Sequence, residues 1–195
     1  FKFQVTSKQQ ANTLSKIISI DDVKNNEVSA YAKKPEFLNF LTHGINYQVI
    51  EHVPGNKTTV ATTVAQMSSW DRYPAHDVYI SMMNQFATDY PNLCQVQSIG
   101  NSYDGRQILV AKISDNVSSE EDEPEFFYTS NMHGDELVGY VIYLRFIDYL
   151  LSNYGTDPQV TNLVNNIEIW INPLANPDGT FNGGNTNVSN ATRYN

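Results

Sequence analysis

The stretch Phe-Phe-Tyr-Thr-Ser-Asn-Met-His-Gly-Asp-Glu, at residues 126–136, indicates how this chain folds. It begins with an apolar run that shows no clean alternation, a pattern typical of a sheet strand covered on both faces. Polar residues follow, and a helix is predicted over residues 135–151. His133 and Glu136 are three positions apart at the start of that helix, so their side chains are expected on one helical face.

An imidazole and a carboxylate that converge in this way form half of a metal site. Catalytic zinc usually binds three protein ligands and a water molecule, and two histidines with one glutamate are a standard set. The His-x-x-Glu spacing also arises easily by chance in so acidic a chain. The alternative interpretation is that His133 starts the helix and that Asp135 and Glu136 are carboxylates favoured by the helix dipole. The spacing alone leaves both interpretations open.

The elements around this stretch favour a functional site. The chain is predicted to run strand, helix, helix, strand over residues 126–130, 135–151, 159–164 and 167–171. This order implies a parallel crossover, in which both strands end at the same edge of the sheet. Functional groups collect at the carboxyl ends of strands in open α/β sheets. His133 and Glu136 follow one such end, and the turn Asn-Pro-Asp-Gly at residues 176–179 follows the other.

Residues 1–53 are predicted to form a separate small α+β domain. Strands are expected over residues 1–5, 18–23, 28–32 and 45–50, with one helix after Ser7 and another from Pro35 to Gly44. The order βαββαβ is the split βαβ pattern of ferredoxin-like domains.

A linker and a second domain are predicted to follow. Residues 54–69 are rich in Thr, Ser and Ala without a clear period, which predicts the linker. Residues 70–195 form the second domain, with a helix over residues 76–90 and strands over residues 96–100 and 108–113. The helix is expected to bury Val78, Met82, Met83 and Phe86, which recur at helical spacing.

The composition excludes several classes of protein. Twelve Lys and Arg against 21 Asp and Glu give a net charge of −9, so no basic patch is expected for a nucleic-acid backbone. No apolar run approaches the roughly 20 residues that span a bilayer, and a soluble chain is expected. Cys94, the only cysteine, is expected to be a small buried hydrophobic residue. The acidic run at residues 120–125 is predicted to be a solvated loop, with a calcium-binding loop as the alternative.

Two motifs in the second domain carry a resemblance to a known family. The segment Asn-Met-His-Gly-Asp-Glu-Leu-Val-Gly at residues 131–139, a spaced strand and the turn Asn-Pro-Asp-Gly at residues 176–179 occur in this order. Residues 70–195 therefore resemble the zinc metallocarboxypeptidases, and most of all the regulatory branch that includes carboxypeptidases D, E and N. The implied fold is a mixed-sheet α/β carboxypeptidase domain, of which this chain holds the N-terminal part.

The resemblance implies particular residue roles. His133 and Glu136 match the first two zinc ligands of the family. Arg193, within Ala-Thr-Arg-Tyr-Asn, matches the arginine that polarises the scissile carbonyl, a role that suits a fixed guanidinium. The turn at residues 176–179 is expected to shape the loop without a catalytic role. The implied substrates are peptide or protein C-termini, the implied location is secreted or periplasmic, and residues 1–53 resemble the family's propeptide.

The chain also departs from the family pattern. It ends at Asn195, where the family continues into an Asn-Arg pair that binds the substrate carboxylate, a third ligand that is a histidine, and a glutamate that is the general base. His43, His52 and His76 do not stand where the family places its ligands. An incomplete zinc site, an open sheet edge and a chain that is inactive alone are therefore expected.

Two other functions stay open. The chain could belong to a relative that acts on another amide, such as a cell-wall peptide or an acylated amino acid. It could also be a non-catalytic pseudo-enzyme that serves as an interaction module. The pattern predicts no particular oligomeric state.

Overall fold

Two separate hydrophobic cores organise the chain. The computed structural model describes residues 1–50 and 59–194. Their contacts divide into two compact units, Phe1–Val53 and Pro54–Asn195. Each unit is described below by itself.

The smaller unit has the predicted βαββαβ order. Its elements are β1 (Lys2–Gln4), α1 (Lys8–Leu14), β2 (Ser19–Lys24), β3 (Glu27–Tyr31), α2 (Lys34–Leu41) and β4 (Tyr47–Gln48). The strands form one antiparallel sheet in the order β2-β3-β1-β4. β1 lies between β3 and β4, and β2 and β3 pair as a hairpin, which is the strand order of a ferredoxin-like topology and confirms this part of the predicted fold class.

Local sequence signals explain several boundaries in this unit. Ser7 caps α1, because its Oγ accepts a hydrogen bond from the Gln10 amide at 3.2 Å. Asn25 and Asn26 form the turn between β2 and β3 with φ angles of 52° and 64°, a conformation that asparagine tolerates well. Gly44 follows α2 with a φ of 63°, as its predicted stop requires.

The larger unit is built on a mixed sheet. Its elements are β5 (Val60–Ala61), a 3₁₀ helix (Val64–Met67), β6 (Tyr73–Pro74), α3 (His76–Asp89), β7 (Cys94–Asn101), β8 (Gln107–Ile113), β9 (Glu125–Thr129), α4 (Val138–Asn153), α5 (Pro158–Val164), β10 (Glu168–Asn172) and α6 (Pro177–Thr180). The main sheet has the order β7-β8-β10-β9. β8 pairs antiparallel with β7 and β10, whereas β9 and β10 are parallel. The predicted parallel crossover from β9 through α4 and α5 to β10 is therefore confirmed.

Helices α3 and α4 supply most of the helical part of the larger core. All four apolar residues predicted for α3 are buried, namely Val78, Met82, Met83 and Phe86. Leu144, Ile147 and Leu151 of α4 join the same cluster. Cys94 is 2% exposed, and burial raises the pKa of its thiol to about 12. Cys94 is thus the buried small residue that the sequence predicted.

The structure differs from the sequence-based predictions in the segment assigned to a linker. Residues 51–58 lie outside the described residues, but Val60–Ala61 forms β5 and pairs in parallel with β6. Ala61 and Met67 are buried in the larger core. A strand of two residues and a single 3₁₀ turn are too short to leave a period in the sequence, which is why this packing was not predicted.

Strand β9 also differs from its prediction. It lies at the edge of the main sheet, and Phe126, Phe127 and Tyr128 are 52%, 56% and 36% exposed. The expectation of a strand covered on both faces is wrong for the described residues, whereas the expected open edge is present. An apolar composition alone does not distinguish an inner strand from an edge strand.

Among the described residues, no helix has both the length and the apolar character that crossing a membrane requires.

Candidate metal centre

His133 and Glu136 converge, but they do so in a turn and not on a helix. Helix α4 begins only at Val138, so both residues precede it. The Glu136 amide donates to the His133 carbonyl at 3.2 Å, which closes a tight turn. Their side chains meet with His133 Nδ1 3.0 Å from Glu136 Oε1. The predicted pairing is therefore present, and the predicted helix start at residue 135 is wrong.

Asn131 explains why the helix starts late. Its φ of 53° turns the chain sharply after β9, and its side chain is 3% exposed. Oδ1 accepts a hydrogen bond from the Tyr140 amide at 3.1 Å, and Nδ2 donates to Thr180 Oγ1 at 3.1 Å. One buried amide thus satisfies an early donor of α4 and fixes the turn that carries His133. The tolerance of asparagine for positive φ was the sequence signal available for this bend.

The Asn-Pro-Asp-Gly turn packs directly against the turn that carries His133. Asn176 Oδ1 caps α6 by accepting from the Gly179 amide at 2.9 Å. A Cβ atom on Gly134 would lie 2.3 Å from the Gly179 carbonyl carbon and 2.5 Å from the Thr180 nitrogen. Thr180 Oγ1 also donates to the Gly134 carbonyl at 3.0 Å. The turn that follows β9 and the helix α6 that follows β10 are therefore in direct backbone contact, and only glycine at position 134 permits so close an approach.

Arg193 lies beside the same pair. The Gly134 amide donates to the Arg193 carbonyl at 3.3 Å, and the Thr192 amide donates to the Gly179 carbonyl at 2.8 Å. Arg193 Nη1 is 3.6 Å from Glu136 Oε1. The side chains of His133, Glu136 and Arg193 are 31%, 54% and 21% exposed. All three residues singled out in the sequence are thus within one small, solvent-accessible cluster.

His76, the other described histidine of the larger unit, does not join this cluster. His43 lies in the smaller unit, and His52 is outside the described residues. His76 is 8% exposed and packs edge-on against the ring of Phe181, and burial lowers its pKa.

The His133–Glu136 pair fits two ligand positions of a zinc ion. Typical zinc–nitrogen and zinc–oxygen bonds at a tetrahedral angle place the two ligand atoms about 3.4 Å apart. The observed distance of 3.0 Å between His133 Nδ1 and Glu136 Oε1 is that of a hydrogen bond. The two atoms would need to move apart by a few tenths of an ångström to bind one zinc ion. The pair also borders an open groove of about 710 Å³ lined by residues between Thr129 and Gly139.

Within the described part of the chain, no third histidine, cysteine or carboxylate completes a group of three with this pair. The group of three that does occur there consists of Asp115, Glu121 and Glu123. Burial, together with the charges of Glu121, Asp115 and Glu168, raises the pKa of Glu123. This all-carboxylate group lacks the nitrogen ligand typical of catalytic zinc.

Comparison with known proteins decides the family. The sequence model described as zinc carboxypeptidase matches residues 79–195, which is more than half of the chain. This chain belongs to the zinc carboxypeptidase family. The matched region contains the whole cluster of His133, Glu136 and Arg193.

Individual relatives agree with this assignment. Human carboxypeptidase D is 44% identical over 108 residues, which cover 55% of this chain and 8% of that protein. A zinc carboxypeptidase of Saccharothrix mutabilis subsp. capreolus is 41% identical over 112 residues, which cover 57% of this chain and 26% of that protein. The chain therefore spans about a quarter or less of the length of these two curated relatives.

Solved structures support the fold. The carboxypeptidase A from Helicoverpa armigera matches 99% of this chain with a TM-score of 0.67 and 22% identity, and 52% of that chain is covered. Thrombin activatable fibrinolysis inhibitor matches 89% of this chain with a TM-score of 0.57 and 20% identity, and 49% of its own chain is covered. These similarities confirm the mixed α/β carboxypeptidase fold.

Proposed function

We propose that this chain carries the first part of the active site of a zinc carboxypeptidase, an enzyme that hydrolyses C-terminal peptide bonds. The observation that carries the proposal is the convergent pair with His133 Nδ1 3.0 Å from Glu136 Oε1, beside which Arg193 Nη1 lies 3.6 Å from the same oxygen. Membership of the zinc carboxypeptidase family supports it.

His133 and Glu136 are the proposed ligands. His133 would contribute a ring nitrogen and Glu136 a carboxylate oxygen, and a carboxylate offsets part of the charge of a divalent cation. Zinc in such a site, when bound, polarises a carbonyl group and makes a water molecule nucleophilic near neutral pH. The short turn between the two ligands keeps their side chains on the same side of the backbone, which favours binding of one ion.

Arg193 is the proposed stabiliser of the oxyanion. Its guanidinium is 21% exposed and is held near Glu136, so it borders the position at which a scissile carbonyl would be attacked. A permanently charged, planar donor placed there stabilises negative charge that develops on the carbonyl oxygen. The Gly134–Arg193 backbone hydrogen bond of 3.3 Å couples this residue to the ligand turn.

The remaining parts of the mechanism are inferred from the family. A third ligand, a general base and a clamp for the substrate carboxylate are required, and no described residue beside the pair supplies a third ligand. We therefore propose that a polypeptide of residues 1–195 alone binds zinc weakly and does not turn over. The proposal extends to a propeptide-like role for residues 1–53 and to secretion or a periplasmic location.

Peptide cleavage and zinc binding test this function together. The protein made from its complete coding sequence should cleave peptides with a free C-terminus and leave C-terminally amidated peptides intact. His133→Gln and Glu136→Gln should each lose zinc and activity, whereas His43→Gln, at an exposed histidine of the smaller unit, should keep both. Equal cleavage of free and amidated peptides would contradict the proposal.

Two further outcomes would assign the other functions. Hydrolysis of acylated amino acids or cell-wall peptides without cleavage of ordinary C-termini would indicate a relative that acts on another amide. Absence of both zinc binding and hydrolysis would indicate a non-catalytic interaction module.

A further inference from the structure

A buried carboxylate stands next to the candidate site without a role in the proposed chemistry. Asp178 in α6 is 4% exposed. Its Oδ1 accepts from Ser102 Oγ and from Arg106 Nη1, both at 2.7 Å, and its Oδ2 accepts from the Asp104 amide at 2.9 Å. All three donors belong to the turn between β7 and β8. A carboxylate that accepts three hydrogen bonds from one turn ties α6 to that turn.

Arg106 extends this connection to the loop that follows α6. Its Nε donates to Asn185 Oδ1 at 3.0 Å, and its Nη2 donates to the Phe181 carbonyl at 3.4 Å. Burial acts to raise the pKa of Asp178, but the hydrogen bonds from Asp104, Ser102 and Arg106 outweigh it and lower that pKa. Asp178 therefore stays ionised at neutral pH, and the hydrogen bonds that its carboxylate accepts are charge-assisted.

The residue after Asp178 transmits this constraint to the site. Gly179 packs against Gly134, at the place where a Cβ on Gly134 would be 2.3 Å from its carbonyl carbon. The carbonyl of Gly179 also accepts the Thr192 amide at 2.8 Å, directly before Arg193. One peptide unit of α6 is thus in contact with both the ligand turn and the segment that carries the arginine.

We propose that Asp178 is a positioning residue that sets Arg193 against the His133–Glu136 pair by fixing the peptide unit of Gly179. The ionised carboxylate holds α6 to the turn at residues 102–106, and Gly179 in turn holds Gly134 and Thr192. The catalytic part of this inference rests on the proposed carboxypeptidase function. The structural part does not, because it concerns only contacts within the chain.

Amide hydrogen exchange tests the structural part without zinc or substrate. Asp178→Asn should accelerate exchange of the Gly134 and Thr192 amides by about tenfold or more, because the unit that they contact is released. Amides of β10 should keep their rates. The matched control is Asp71→Asn, which removes another carboxylate that binds an arginine, at 2.7 and 3.1 Å from Arg72. Unchanged exchange at both amides, or an equal acceleration throughout the larger unit, would overturn the proposal.

A milder variant keeps the test valid if Asp178→Asn does not fold. Ser102→Ala removes one donor to Asp178 at 2.7 Å and the acceptor of the Arg106 amide at 3.0 Å, and it keeps the Arg106 guanidinium that binds Asp178. It should accelerate the same two amides by a smaller factor, and equal rates in Ser102→Ala and the unmodified protein would overturn the proposal.

Kinetics of the protein from its complete coding sequence test the catalytic part. Asp178→Asn should lower kcat by about 10- to 100-fold with little change in KM, because a misplaced arginine loses contacts that form only in the transition state. The double variant Asp178→Asn/Arg193→Ala should be no slower than Arg193→Ala alone. Losses that multiply would show that Asp178 acts independently of Arg193 and would overturn the assignment. Altered exchange in a protein that cleaves no peptide would instead refute the proposed function and leave the structural part intact.

Discussion

Gly134→Ala is expected to destabilise the larger unit through a single added methyl group. The new Cβ would lie 2.3 Å from the carbonyl carbon and 2.5 Å from the Cα of Gly179, and ordinary contact needs about 3.4 Å. The obstructing atoms are backbone, so a side-chain rotation cannot relieve the overlap, and the turn at Gly134 and helix α6 must separate by about 1 Å. Such overpacking costs about 1–3 kcal/mol. The same separation would weaken the hydrogen bond from Thr180 Oγ1 to the Gly134 carbonyl, which adds about 1 kcal/mol to the loss of stability.

The expected loss is therefore about 2–4 kcal/mol in the free energy of unfolding. Both tryptophans, Trp70 and Trp170, lie in the larger unit, so their fluorescence during urea denaturation reports on that unit. Gly155→Ala is the matched control, because Gly155 has a φ of 79° and open space around it. It should cost about 1–2 kcal/mol through backbone strain alone. A loss in Gly134→Ala no larger than that of the control would refute the close backbone contact. Zinc affinity should fall with Gly134→Ala and stay unchanged in the control.

Two further predictions concern buried charges. Lys112→Met leaves Glu168, which is 1% exposed, without the ammonium group 2.7 Å away, so we expect a loss of about 3–5 kcal/mol in urea denaturation. The double variant Lys112→Met/Glu168→Met should recover most of that loss, and a double variant as unstable as the single one would contradict this explanation. Because the pKa of Asp178 is lowered on folding, its contribution to stability is present above the unfolded value of about 4 and is lost as the pH falls through the lower folded value. The stability difference between Asp178→Asn and the unmodified protein should thus shrink below about pH 4, and a difference that is constant from pH 7 to pH 2.5 would contradict the assignment.

Local patterns in the sequence predicted the elements that depend on local physics. The four buried residues of α3 repeat with a helical period, and Ser7 caps α1 through its own side chain. The βαββαβ order of the smaller unit followed from strand and turn residues alone. Edge exposure is different, because it depends on which strands are neighbours. The sequence of β9 therefore suggested a covered strand, whereas Phe126 and Phe127 are more than half exposed.

In the candidate site too, local patterns predicted some features, and contacts between distant segments determined the others. The spacing of His133 and Glu136 predicted their pairing, and the pairing is present although a turn replaces the expected helix. The Asn-Pro-Asp-Gly turn was expected only to shape a loop. Its contacts with Gly134 and with the turn at residues 102–106 join segments that are 45 or more positions apart in sequence. Contacts of this kind leave no periodic trace, so neither Asp178 nor Arg106 could be singled out before the fold was known.

The aromatic edge formed by β9 has a consequence for how this polypeptide behaves at high concentration. Phe126, Phe127 and Tyr128 present apolar rings, and the outer side of an edge strand presents backbone groups that favour lateral stacking of molecules. The net charge of −9 opposes that stacking by mutual repulsion. Dissolved ions weaken the repulsion over about 10 Å at 0.1 M ionic strength and leave the attraction between rings intact. Colloidal stability should therefore be highest in dilute buffer, with turbidity that rises as sodium chloride is added.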